Sequence, residues 1–128
     1  MTAVVLVMWR KAIAESLITK LNTGPVMQLY YEPDYARADL CVKKNNAKVA
    51  LIEAAETGEH SVLYCLDICA TLRKETENCK LILMCPDQDE EAVAQTVRAK
   101  QDGCIDDFVF YEANFDYLSS KILTMLHD

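Results

Sequence analysis

Glycine is scarce in this sequence, with three residues among 128: Gly24, Gly58 and Gly103. The loop after the first apolar run, where phosphate-binding α/β domains carry glycines, reads MWRKA instead. Neither a G-x-G-x-x-G fingerprint nor a P-loop is present. The sequence therefore argues against a bound nucleotide or flavin, and we predict a domain without a cofactor.

Long apolar runs and clustered positive charge are also missing. No apolar run approaches the roughly 18 residues that a membrane span needs. The N-terminal stretch MTAVVLVMWRK places its apolar run before its positive charges, the reverse of a secretory signal. Lys and Arg number 13 against 20 Asp and Glu, and this net charge of −7 disfavours contact with a phosphate backbone. We predict a cytoplasmic domain without a membrane or nucleic-acid partner.

Cysteine, by contrast, is abundant. The six cysteines are Cys41, Cys65, Cys69, Cys79, Cys85 and Cys104. No C-x-x-C motif occurs and the two histidines lie far from any cysteine pair, so the pattern does not favour a metal site. Cys65 and Cys69 fall in line with Val62 and Leu72 at helical spacing, which predicts reduced thiols in a core. A thiol-based redox sensor is the alternative.

One unit recurs five times along the chain: a short apolar run, a break and a helical pattern. The runs predict five buried strands: Ala3–Met8, Val26–Tyr31, Lys48–Glu53, Cys79–Pro86 and Asp106–Tyr111. Five uninterrupted strand–helix units predict a single α/β domain over residues 1–128. We expect a three-layer, doubly wound parallel sheet of the flavodoxin-like type, with strand order 2-1-3-4-5.

Apolar residues at helical spacing predict the five helices between and after these strands. The residues that mark these helices are Ile13, Leu17 and Leu21; Ala38 and Val42; Val62, Cys65, Cys69 and Leu72; Val93 and Val97; and Phe115, Leu118, Ile122 and Leu126. The NTGP segment predicts the end of the first helix, and Pro33–Asp34 the start of the second.

The spacing of these units resembles that of the receiver domains of two-component response regulators, over essentially the whole chain. The stretch GCIDDFVFYEANFDYLSSKI is similar to the family's segment from the glycine before the fifth strand into the last helix, with one extra residue near Ile105. ALIE is similar to the third strand, whose last residue is the phospho-accepting aspartate, and LILMC to the fourth, which ends in Ser or Thr. The resemblance implies a response-regulator signalling module of a phosphorelay.

Receiver chemistry needs five groups around one pocket: an acidic pair that holds Mg²⁺, the aspartate, a hydroxyl and a lysine. They position the phosphoryl group and stabilise its charge. This sequence departs at every one of these positions, which are occupied by Met8, Trp9, Glu53, Cys85 and Tyr111. Met and Trp offer none of the oxygen ligands that Mg²⁺ requires. The resemblance therefore implies a degenerate receiver, or pseudo-receiver, that is not an enzyme and has neither a catalytic residue nor a metal.

Several roles in this altered pocket stay open. Glu53 either imitates a phosphorylated aspartate or is simply an acid at a strand end. Arg10 either supplies the missing positive charge or is a solvated residue of the first helical turn. Trp9 either plugs the emptied metal pocket or is exposed to bind a partner. Phe108 occupies the family's switch-aromatic position, without a hydroxyl to couple to.

Two functions follow as hypotheses. In the first, the domain is not phosphorylated at the usual site and acts through contacts with an effector domain, a kinase or itself. In the second, it is an atypical receiver phosphorylated elsewhere, or a small enzyme that uses Glu53, Cys85 and Tyr111 with His60 as the base.

Self-association is expected to be weak and to use the face of the fourth helix, fifth strand and fifth helix. Its outward positions mix both charge signs, which suits a two-fold interface. The charged candidates are Glu90, Glu91, Arg98, Lys100, Asp116 and Lys121, and the apolar candidates are Phe108, Phe110 and Tyr117.

Overall fold

Five parallel strands form one sheet in the computed structural model, which describes residues 2–21 and 27–127. The strands are β1 Thr2–Val7, β2 Met27–Glu32, β3 Val49–Glu53, β4 Lys80–Cys85 and β5 Asp107–Phe110. Their spatial order is β2-β1-β3-β4-β5. The predicted flavodoxin-like topology is confirmed; Val26 and the NTGP segment lie outside the described residues.

Five α-helices alternate with these strands. They are α1 Lys11–Leu21, α2 Ala38–Asn45, α3 Val62–Glu75, α4 Glu90–Gln101 and α5 Phe115–His127. The second helix begins later than predicted, because a 3₁₀ turn over Tyr35–Arg37 precedes it. Asp34 caps that turn by accepting the Ala36 N–H at 3.1 Å. No helix in the described ranges is long and apolar enough to cross a membrane.

The core consists of two apolar layers, one on each face of the sheet. Because successive side chains of a strand point to opposite faces, Val5 and Val7 of β1 join one layer and Val4 and Leu6 the other. The first layer packs against α2, α3 and α4, and the second against α1 and α5. This arrangement confirms the predicted three-layer sandwich.

The buried face of α4 consists of small residues. Ala92, Thr96 and Ala99 are buried, whereas Val93 is half-buried and Val97 is exposed. Val93 and Val97 lie in this helix, as predicted, but they do not form its buried face.

The cysteines are all free thiols, and four of them are buried. Burial raises the pKa of Cys69 and of Cys79 to about 12. Cys65 and Cys69 lie in the core as predicted, whereas Cys41 is half-buried and Cys104 is exposed. Within the described ranges, no cluster of His, Cys, Asp and Glu could hold a metal ion.

Candidate functional site

Glu53 ends β3 and is fully buried at the carboxyl edge of the sheet. Because β1 and β3 are paired neighbours, the chain that leaves β1 passes beside this carboxylate. Oε1 of Glu53 accepts the backbone N–H groups of Trp9 and Arg10, both at 3.1 Å. Oε2 accepts a hydrogen bond from Nε of Arg10. Both oxygens of Glu53 are therefore bound to the loop between β1 and α1.

Arg10 is held in place by more than its ion pair with Glu53. Its Nη2 lies 3.3 Å from Sδ of Met84, and its Cζ lies 4.3 Å from the ring centroid of Tyr111. A guanidinium over an aromatic face is stabilised by the ring quadrupole. Of the two roles left open for Arg10, the structure shows the one in which it brings positive charge to the site.

Tyr111 covers the Arg10–Glu53 pair from the end of β5. Burial raises the pKa of its hydroxyl to about 12, despite an opposing contribution from the indole of Trp9. The hydroxyl oxygen is buried and has no hydrogen-bond partner within the described residues. Tyrosine thus stands where the resemblance implies a lysine, and the positive charge comes from Arg10 instead.

Met8 and Trp9 point in opposite directions after β1. Met8 is fully buried in the layer under α1 and α5. Trp9 is 47% exposed, so it does not plug a pocket. Trp9 is therefore exposed, and binding of a partner by Trp9 stays a prediction.

Tyr35 and His60 connect Glu53 to the start of α3. The hydroxyl of Tyr35 donates to the backbone carbonyl of Glu53 at 2.6 Å. The His60 ring stacks on Tyr35 with centroids 3.7 Å apart, and Tyr64 lies 5.9 Å from His60. Sequence reasoning missed Tyr35, because nothing in a loop residue 18 positions before Glu53 signals this contact.

A cleft of about 660 Å³ opens at this edge of the sheet, beside Arg10 and His60. Its wall contains three aromatic side chains, one guanidinium and two exposed carboxylates. The lining residues are Trp9, Arg10, Ala55, Glu56, Thr57, Glu59, His60 and Tyr111. Gly58 lies in the same loop with φ of 90°, a left-handed conformation that favours glycine.

No protein-family model and no curated protein matches this sequence. Solved structures do match along the whole chain. The BeF₃-activated receiver domain of RstA from Klebsiella pneumoniae aligns with a TM-score of 0.75 and 15% identity, covering 99% of this chain and 100% of that one. The chain has the receiver-domain fold.

Two other structures extend this result. An orphan response regulator of H. pylori aligns with a TM-score of 0.78 and 12% identity, covering 98% of this chain and 96% of that one. An adenylate cyclase from Rhodopirellula baltica aligns with a TM-score of 0.82 and 14% identity, covering 99% of this chain and 89% of that one. At such identities the likeness establishes the receiver fold alone.

Three of the five pocket positions meet around Arg10 in this receiver fold: Trp9, Glu53 and Tyr111. Met8 and Cys85 are instead buried in opposite layers of the core. The Mg²⁺ that receiver chemistry uses does not fit this site. A buried thioether and an indole stand where its acidic ligands are expected, and both oxygens of Glu53 are already bonded.

Cys85 lies in a setting that opposes nucleophilic chemistry. Its thiol donates to the carbonyl of Pro86 at 3.3 Å, and the Thr96 hydroxyl lies 3.3 Å from its sulfur. Burial raises the pKa of this thiol. The ring of His60 stacks on Tyr35 rather than on this sulfur, so the structure does not pair Cys85 with its predicted base.

Phe108 is half-buried and packs against the layer under α2, α3 and α4. Its ring meets Phe110 edge to face with centroids 5.5 Å apart. Nζ of Lys100 lies 5.7 Å from the centroid of the same ring. The switch-aromatic position is thus occupied by a ring packed in place.

Asp107 fastens α4 and α5 to β5. It accepts Nζ of Lys100 at 3.0 Å and Nζ of Lys121 at 2.7 Å. Burial by itself would raise the pKa of Asp107, but these hydrogen bonds and one from the Phe108 N–H lower it. Two charges expected to point outward for dimerisation are therefore used within the chain, as is Asp116, which pairs with Lys20.

Exposed apolar side chains remain on the surface that these three elements form. Val97 of α4, Phe110 of β5 and Tyr117 of α5 are exposed, Tyr117 by 50%. We call these three residues the α4–β5–α5 patch.

Proposed function

We propose that this domain is a receiver-like signalling module of a two-component phosphorelay, cytoplasmic and not an enzyme, which is not phosphorylated at Glu53 and acts through protein contacts. The observation that carries this proposal is the pairing of Arg10 with Glu53. A carboxylate that attacks a phosphoryl group needs an oxygen free to approach it. Both oxygens of Glu53 already accept hydrogen bonds, and the side chain is fully buried.

The same pair bears on whether Glu53 imitates a phosphorylated aspartate. Arg10 neutralises the carboxylate locally, so the site presents an internal ion pair rather than free negative charge. Phe108 is packed in place, and the hydroxyl near Cys85 comes from Thr96 on α4. These contacts support a domain held in one state, whose output is a constant surface.

Phosphorylation is the direct test. We expect no acid-labile phosphate on the wild type after incubation with acetyl phosphate and Mg²⁺, measured by intact-mass spectrometry. Glu53→Asp is the matched variant, since it restores the acceptor side chain but no metal ligand, and it should also stay unmodified. A receiver domain with a complete acidic pocket serves as positive control. Phosphorylation of several tens of percent of the wild type would overturn the proposal.

The partner class is a protein: an effector domain, a kinase or a second copy of this chain. For self-association we propose a weak dimer through the α4–β5–α5 patch. Its affinity would come from the exposed apolar side chains, because Lys100 and Lys121 are already paired with Asp107. Exposed ion pairs contribute at most about 1 kcal/mol each.

Sedimentation velocity tests this dimer. Wild type should begin to associate at about 100 μM, the range of weak encounters over a small interface, and Tyr117→Ala and Arg98→Glu should remain monomeric. Leu40→Ala is the matched control, because it removes an exposed apolar side chain from α2. A monomeric wild type, or equal association of all variants, would show that this patch is not the interface.

A further inference from the structure

The carboxyl edge of the sheet is strongly acidic. The loops that follow β3, β4 and β5, residues 54–61, 86–89 and 111–114, contain no Lys or Arg. Their carboxylates are Glu56, Glu59, Asp87, Asp89 and Glu112, and Glu90 and Glu91 follow in the first turn of α4. Because the strands are parallel, all three loops lie at one edge. Negative charge therefore extends across this edge rather than sitting at one point.

The cleft at this edge combines acidic and aromatic groups. Glu56 and Glu59 are exposed, and the half-exposed ring of Trp9 lines the same cleft, while the rings of His60 and Tyr111 are partly covered within the chain. Among the residues described as lining it, Arg10 alone is cationic, and Glu53 neutralises it. Two carboxylates are thus left without a cation. The volume of about 660 Å³ is within the usual range of ligand sites.

Aromatic faces attract cations, and nearby carboxylates strengthen that attraction. Arg10 shows the geometry within this molecule, because its guanidinium lies on the face of Tyr111. An anionic phosphate would instead meet uncompensated negative charge.

We infer that this cleft binds a lysine or arginine side chain from a basic segment of a partner protein. A segment is favoured over a small amine because the neighbouring acidic loops can pair with successive positive residues beyond the cleft. This inference rests on the proposed function, since it names the chemistry of the protein contact through which the domain acts. It concerns a surface separate from the α4–β5–α5 patch.

The fluorescence of Trp9 can report binding, because Trp9 is the only tryptophan in the sequence and lines the cleft. Titration with hexalysine at low ionic strength should change its fluorescence in a saturable way, and added salt should weaken the binding. Hexaglutamate, the matched anionic probe, should leave the emission unchanged. Absence of a response to hexalysine up to millimolar concentration would overturn the inference.

Paired variants separate this cleft from general charge attraction. Glu56→Gln with Glu59→Gln should weaken hexalysine binding about tenfold. Glu77→Gln with Asp102→Asn makes the same change in net charge at exposed positions on the opposite edge, and should leave the affinity within about twofold. Equal weakening by both double variants would overturn the inference.

Other occupants of the cleft would give different results in these experiments. If Trp9 emission changes with protein concentration alone, a second copy fills the cleft and the inference is wrong. If acetyl phosphate modifies Glu53, the proposed function fails, whatever hexalysine does. If Glu53 stays unmodified and hexalysine does not bind, only the identity of the partner is overturned.

Discussion

Two acidic side chains are buried at opposite ends of strands, Glu53 at the end of β3 and Asp107 at the start of β5. Glu53 is bound by one guanidinium and two backbone N–H groups from a single loop. Asp107 is bound by ammonium groups from two helices. Each satisfies the requirement that a buried charge be paired and hydrogen-bonded.

The difference lies in where each pair sits. At the carboxyl edge, where receiver chemistry takes place, both oxygens of Glu53 accept hydrogen bonds from one loop. At the amino edge, pairing Asp107 fixes α4 and α5 to the sheet and uses two cations of the expected dimer face. The same local chemistry therefore engages a carboxylate at the candidate site in one place and joins two helices to the sheet in the other.

The largest effect should come from removing the partner of Glu53. We expect Arg10→Met to lower the free energy of unfolding by about 3 kcal/mol, because it leaves a buried carboxylate with backbone donors alone. The free energy of unfolding of Arg10→Lys should lie between those of wild type and Arg10→Met, because lysine keeps the charge but not the planar guanidinium. Urea denaturation measures both variants.

The adjacent Lys11 is the matched control for this prediction. Its side chain is 73% exposed and makes only a 3.8 Å pair with Glu15, so Lys11→Met should change stability by less than about 0.5 kcal/mol. If Arg10→Met changes stability as little as Lys11→Met does, the ion pair with Arg10 does not stabilise the buried Glu53.

The second effect concerns Asp107. Asp107→Asn removes two charge-assisted hydrogen bonds and should destabilise the fold by about 1–2 kcal/mol at neutral pH. Because the pKa of Asp107 is lowered in the folded state, this stabilisation is complete above the ordinary aspartate value of about 3.9. It is lost as the pH falls through the lower folded-state value.

Thermal unfolding between neutral and strongly acidic pH tests this dependence. The melting curves of wild type and Asp107→Asn should differ at neutral pH and converge in acid. Asp116→Asn, at an exposed position paired with Lys20, should follow the wild type throughout. A difference for Asp107→Asn that persists unchanged in acid would show that the charge of Asp107 is not its cause.

The smallest effect is a local opening near Glu53. The Cys65 thiol lies 3.8 Å from the Glu53 carbonyl and burial raises its pKa, so it should resist alkylation in the wild type, while exposed Cys104 reacts at once. In Arg10→Met, we expect Cys65 to react severalfold faster. Peptide mapping by mass spectrometry gives the rates.

Cys79, buried at the start of β4, is the internal control for this measurement. If Cys79 accelerates as much as Cys65, the variant opens the whole domain rather than the site.

The fold could be read from the sequence because it depends on patterns that extend over many residues. Each apolar run matches an observed strand to within one residue at either end, as Ala3–Met8 does with Thr2–Val7. The exact ends depend on pairing with neighbouring strands, which a single run does not record. The spacing of Val93 and Val97 located α4 but does not indicate its buried face, which Ala92, Thr96 and Ala99 form.

The site could be predicted only in part. The position of Glu53 followed from its place at the end of a strand. The role of Arg10 stayed open because it depends on how the loop that carries Arg10 passes Glu53, which is 43 residues away in sequence. Tyr35 went unnoticed because a 3₁₀ turn, invisible in the hydrophobic pattern, carries its hydroxyl to the Glu53 carbonyl. Side-chain contacts between distant loops are the information that one sequence lacks.

The Arg10–Glu53 pair also limits how this chain can evolve. A first step toward a metal site, such as Met8→Asp, would put a second carboxylate into a fully buried apolar position while Glu53 already holds the nearby cation. Loss of Arg10 first would leave Glu53 unpaired and the domain less stable. Each single substitution thus lowers stability before any metal can bind. A lineage that carries this pair should find the path toward a metal site blocked by selection against unstable intermediates.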